Sequence, residues 1–151
     1  MSPEHREGHM TLSSVDGIES SVHKTNRWLS ELAEELGTED RNEAWRVLRA
    51  YLQLLRDQLT VDEAAQLAAQ LPMVLRGAFY EAFDPGHQPA KVRDREQFLS
   101  TFAERTQLDP GRAEQAVEAA TRVLRRHITA GEFDDVLSQL PSELREVLHA
   151  G

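Results

Sequence analysis

The sequence predicts an all-α fold: two tandem helical repeats of about four helices each, packed as one bundle-like domain. Three observations carry this. Apolar residues recur at helical spacing, and no run alternates with period two for long enough to make a strand. Helix-start signals, Thr or Asp followed by acids or by proline, punctuate the chain. Finally, the chain repeats itself: Ala44, Leu55, Thr60, Glu63, Leu67, Gln70-Leu71-Pro72 and Leu75-Arg76 return as Ala113, Leu124, Thr129, Glu132, Val136, Gln139-Leu140-Pro141 and Leu144-Arg145. The displacement is constant at 69 residues (129 minus 60), and a weaker match at 70 sets Trp28, Leu29 and Leu32 against Phe98, Leu99 and Phe102.

The elements follow in order. Residues 1–16 mix Ser, Gly, His and acids without periodicity and read as a disordered tail. Residues 17–150 form the domain, as repeat one (17–84), a connector (85–93) and repeat two (94–150). The first helix carries Ile18, Val22, Trp28, Leu29, Leu32, Ala33 and Leu36 and stops at Gly37. Thr38, with Glu39 and Asp40, starts a second helix whose buried stripe is Ala44, Leu48, Tyr51, Leu52, Leu55 and Leu59; Arg46, Arg49, Gln53 and Arg56 fall on the opposite side.

Thr60 and Glu63 then form a capping box, in which the hydroxyl accepts from the Glu63 N–H and the Glu63 carboxylate reaches back to the Thr60 N–H. This short helix buries Ala64, Leu67, Ala68 and Leu71 and ends at Pro72. The next carries Val74, Leu75, Ala78, Phe79, Ala82 and Phe83 and runs to Asp84-Pro85-Gly86-His87. In repeat two, Asp94 caps the helix of Phe98, Leu99 and Phe102. Asp109 with Pro110 opens the helix of Ala113, Val117, Ala120, Val123 and Leu124, and Thr129 with Glu132 makes the second capping box.

Composition narrows function by exclusion. The chain has 151 residues, enough for one domain with a real core. With no cysteine it has neither a disulfide frame nor thiolate chemistry, and a cytoplasmic location is expected. No signal-peptide stretch or membrane span is expected. A net charge of −9, carried against 15 Arg and two Lys, disfavours general nucleic-acid binding, and the capped helices at 61–70 and 130–139 hold no Arg or Lys at all.

The phrase Leu59-Thr60-Val61-Asp62-Glu63-Ala64-Ala65-Gln66-Leu67-Ala68-Ala69-Gln70-Leu71-Pro72, continued by Arg76-Gly77, Tyr80-Glu81 and Asp84-Pro85, closely resembles the bacterial and archaeal family Domain of Unknown Function 2267. The likeness covers roughly residues 23–148. Ala82-Phe83 stand where a Gly-Trp pair often follows Tyr-Glu in that family. The resemblance implies an all-α fold and no established activity.

Candidate sites are few. No catalytic group, cofactor motif or metal set is expected, and His5 and His9 read as tail residues. His127, closing a long helix, is placed to meet terminal carbonyls. Arginines recur as Arg46, Arg49 and Arg56 and again as Arg122, Arg125 and Arg126; they suit either an anionic ligand or ordinary ion pairs with Glu43, Asp57, Glu114 and Glu118. Phe79-Tyr80-Glu81-Ala82-Phe83 has no counterpart in repeat two. With Arg49, Arg76, Tyr80, Glu81 and Asp84 it forms the candidate binding set of a pocket between repeats. The expected function is a non-enzymatic protein-interaction or regulatory domain that binds a protein partner or itself; the alternative is a small-ligand sensor or enzyme using that pocket.

Overall fold

A computed structural model of the chain describes residues 15–86, 92 and 94–149. The tail with His5 and His9, and most of the connector, lie outside the described residues.

Among the described residues the chain forms eight α-helices and no strand: α1 (Asp16–Leu36), α2 (Arg41–Arg56), α3 (Val61–Ala68), α4 (Met73–Tyr80), α5 (Arg95–Thr106), α6 (Pro110–His127), α7 (Ala130–Ser138) and α8 (Ser142–His149). Local signals explain most boundaries. Gly37 closes α1 at φ 71°, and Gln107 closes α5 at φ 61°. Asp40, rather than Thr38, caps α2 by accepting from the Asn42 N–H at 2.9 Å. The Thr38 hydroxyl instead accepts from the Asp40 N–H and so sets the turn before the cap. Asp94 and Asp109 accept from the Gln97 and Arg112 N–H groups, and Thr60 and Thr129 from the Glu63 and Glu132 N–H groups.

The core is built on α2 and α6. Every residue of the expected α2 stripe is buried, and in α6 Ala113, Val117, Ala120, Val123 and Leu124 are fully so. Helices that correspond in sequence make corresponding contacts. Helix α1 lies on α2 as α5 lies on α6, α4 packs on α1 and α2 as α8 packs on α5 and α6, and α1 crosses to α6 as α5 crosses to α2. Helices α2 and α6 touch each other, as do α3 and α7. In the centre the Tyr51 hydroxyl and Thr121 Oγ1 stand 2.9 Å apart, and Thr121 donates onward to the Val117 carbonyl. That satisfies two buried hydroxyls where α2 meets α6.

Three expectations need correction. Arg56 and Gln53 do not face solvent. Gln53 Nε2 donates to the Ala78 carbonyl at 2.9 Å, and Arg56, 6% exposed, donates from Nη1 to the Phe79 and Glu81 carbonyls at 2.9 Å each. Arg56 is neutralised by Asp57 at 2.9 Å and lies 5.2 Å from the Phe83 ring centroid. This guanidinium caps the end of α4, which explains why the helix stops at Tyr80 and does not run on to Asp84. Ala82, beyond the end, adopts φ 59°. Finally, Ile18 and Val74, expected on apolar faces, are 48% and 41% exposed.

Leu55 and Leu124 occupy equivalent, fully buried positions. Leu55→Ala or Leu124→Ala should each cost about 2–5 kcal/mol of unfolding free energy in denaturant melts. A loss below about 1 kcal/mol at both would contradict the core assignment.

Candidate functional site

The residues of the expected inter-repeat pocket do not converge. Arg49 pairs with Glu81 at 2.6 Å on an exposed face, 6.0 Å from the Trp45 ring centroid. Tyr80 is half-buried, edge-on to Phe79 at 5.2 Å and tilted against Phe83 at 5.7 Å, so it joins the aromatic seal around the end of α4. Asp84 accepts from the Gly86 N–H in the following turn. Arg76 points elsewhere: its Nε and Nη2 donate to the Ala68 and Leu71 carbonyls, fastening α4 to the end of α3.

Arg76 also borders a groove of about 500 Å³ between α1 and the α3–α4 turn. Trp28 forms part of its wall, 2% exposed and stacked on His127 at 4.6 Å. Among the described residues the groove's lining includes Lys24, Arg27, Arg76 and His127 and no carboxylate. In a chain of net charge −9 that is a marked local reversal. Lys24 and Arg27 are exposed, and neither has an ion-pair partner among the described residues. Met73, 56% exposed, adds an apolar rim, and the Val74 N–H donates to Ser21 Oγ at 3.1 Å, holding this edge to α1. The second hollow, about 270 Å³, mixes Glu35 and Glu118 with Arg112 and Arg122 and has no such bias.

The other arginines are largely absorbed by ion pairs and ring stacking. Arg122 donates to Glu35 at 2.9 Å, Arg126 bonds Glu35 and Glu31, and His127 Nε2 meets Glu31 Oε1 at 2.9 Å, all tying α1 to α6. Arg126, through its hydrogen bond, holds Glu35 below the ordinary carboxylate range. Arg112 pairs with Glu43 at 2.6 Å, Arg95 with Glu114, and Arg125 lies 4.7 Å over the Phe133 ring. His127 thus serves Trp28 and Glu31 rather than helix-end carbonyls.

The second feature lies where α3 meets α7. The capping boxes form only by half, because the backbone N–H of each threonine is taken by a glutamine that follows the other helix. Thr60 N–H donates to Gln139 Oε1 at 2.9 Å, and Thr129 N–H donates to Gln70 Oε1 at 2.8 Å. Gln70 also donates from Nε2 to the Thr129 hydroxyl at 3.3 Å. Released from capping, Glu63 and Glu132 turn inward, each 6% exposed, and come together with Asp135; their nearest carboxylate oxygens lie within 4.8 Å of one another. Burial, reinforced by Glu63, pushes the Glu132 carboxyl up to about 8. Reading each Glu as a local cap hid this pair. The sequence signal that marks it is the joint recurrence of Thr, Glu and Gln at the same spacing in both repeats.

A carboxyl whose folded value stands near 8 against an ordinary 4.5 stays protonated in the folded chain over a range where the unfolded chain has released the proton. Its contribution is therefore complete below pH 4.5 and is lost as pH rises through about 8. Glu132→Gln removes that dependence. In buffer free of divalent ions, the stability of the variant relative to the parent should rise between about pH 5 and about pH 8. Parallel pH profiles from urea melts would contradict the assignment.

No curated protein matches the chain. The family model for uncharacterized conserved proteins (DUF2267) matches residues 25–147, which spans α3, α7 and nearly all of the core. The chain therefore belongs to the DUF2267 family.

Proposed function

We propose that this chain is a non-enzymatic interaction or regulatory module of the cytoplasm, and that its cationic groove takes an acidic, partly apolar segment of a partner protein. In this reading residues 17–84 and 94–150 are two copies of one unit facing each other, and the groove opens beside their junction. The observation that carries it is the cluster of Lys24 and Arg27, which have no ion-pair partner among the described residues, beside Arg76 and an exposed Met73, on an otherwise acidic protein. Cations gathered along one groove favour an anionic ligand, and an apolar rim beside them supplies the anchor that a peptide needs.

Other features support recognition over chemistry. Two groups of the expected pocket set, Arg49 and Glu81, pair and neutralise each other. No helix among the described residues is long and apolar enough to cross a membrane. A second reading, a sensor for a small phosphorylated or carboxylated ligand, is favoured by the groove's volume, which falls within the roughly 300–1,000 Å³ of small-molecule sites.

Panning a random peptide library against the protein separates the two. Enriched peptides should be rich in Asp and Glu with an apolar anchor, and should bind Lys24→Glu/Arg27→Glu at least about tenfold more weakly. Enrichment of neutral or basic peptides, or equal binding to the double variant, would defeat the peptide reading. Saturable binding of inorganic phosphate or pyrophosphate in its place would favour the sensor.

A further inference from the structure

The α3–α7 junction has chemistry that the groove does not use. Glu63 and Glu132 are nine-tenths buried, and Oε2 of each is closed off from solvent with no hydrogen-bond partner. Buried carboxylate oxygens of this kind are costly unless a positive charge or a donor meets them. Neither is a spare cap, because the Thr60 and Thr129 N–H groups are already satisfied by Gln139 and Gln70. Nor do the helices that carry the pair bring a counter-charge: α3 and α7 contain no Lys or Arg. Asp135, one turn beyond Glu132 on α7, adds a third carboxylate to the same cluster and is exposed.

We propose that Glu63, Glu132 and Asp135 hold a divalent cation that clips α3 to α7. The donor set is oxygen only, with no imidazole and no thiolate, which selects a hard ion such as Mg²⁺, Mn²⁺ or Ca²⁺ over zinc or copper. The two buried glutamates supply the charge that fixes the ion between repeats. The exposed aspartate leaves one side open to water, which provides both an entry path and the remaining ligands that such ions keep. The site takes one ion: Gln66 stands 69 residues before Asp135, so repeat one has no matching third carboxylate. The ion would therefore act as a stabilising cross-link at the junction.

Full-length protein freed of metal with chelator and titrated with Mn²⁺ tests this, with binding followed by electron paramagnetic resonance and stability by thermal melting. The expected result is saturable one-to-one binding, displaced by excess Mg²⁺ or Ca²⁺, together with a rise in Tm. Glu132→Gln and Asp135→Asn should each weaken Mn²⁺ binding by at least about tenfold. Asp134→Asn, an exposed neighbour outside the cluster, should not change it. Circular dichroism checks that Glu132→Gln remains helical, and the exposed Asp135→Asn keeps the test open if it does not. Equal Mn²⁺ binding by parent and both cluster variants would overturn the proposal, because the ion would then be held by general surface acidity. Absence of binding and of any Tm change in the parent would overturn it as well, leaving a shared proton as the pair's only counter-charge.

Discussion

The arrangement turns on an exchange of hydrogen bonds where α3 crosses α7. Each of these helices begins at a threonine whose hydroxyl caps its own first turn, but whose backbone N–H is satisfied by the glutamine that ends the other helix. Both crossed bonds are exposed to solvent, so each contributes about the 0.5–1.5 kcal/mol net of an ordinary hydrogen bond, and together they fix how α3 sits on α7 more than they stabilise it. The exchange also decides where the glutamates go. A glutamate three residues past a threonine ordinarily folds back on the cap. With that position occupied, Glu63 and Glu132 have only each other and Asp135 to face.

Charge is distributed by the same logic of position. Two acids of α1, Glu31 and Glu35, engage Arg122, Arg126 and His127 of α6, and this ladder holds α1 on α6. Exposed pairs of this kind contribute about 0–1 kcal/mol each, so the ladder sets orientation more than stability; the apolar interlock of α2 and α6 supplies the latter. On the side toward the α3–α4 turn, α1 presents Lys24 and Arg27, and the described residues that line the groove there include no carboxylate. The positive groove lies beside Gln70, one of the four residues of the crossed caps.

Most of the fold was legible before any coordinates. Helix content, the buried stripe of α2, the caps at Thr60, Asp94, Asp109 and Thr129 and the stop at Gly37 all follow from local spacing. What escaped was set at long range. Arg56 has the spacing of an exposed residue, and only the approach of the α4 terminus, 23 residues on, explains its burial. Gln70 and Gln139 look like solvated helix ends, and their partners lie 59 and 79 residues away in sequence. The shared face of Arg76, Tyr80 and Asp84 was set at a boundary that local spacing did not mark: α4 ends at Tyr80, so Asp84 lies beyond the helix.

The most direct test of this account is amide hydrogen exchange at Thr60 and Thr129, read residue by residue by NMR. The crossed arrangement predicts that Gln139→Ala speeds exchange of the Thr60 amide several-fold while Thr129 is little changed, and that Gln70→Ala does the reverse. If both amides kept their protection in both variants, each glutamate would be capping its own helix, and the inward-facing carboxylate pair would not exist.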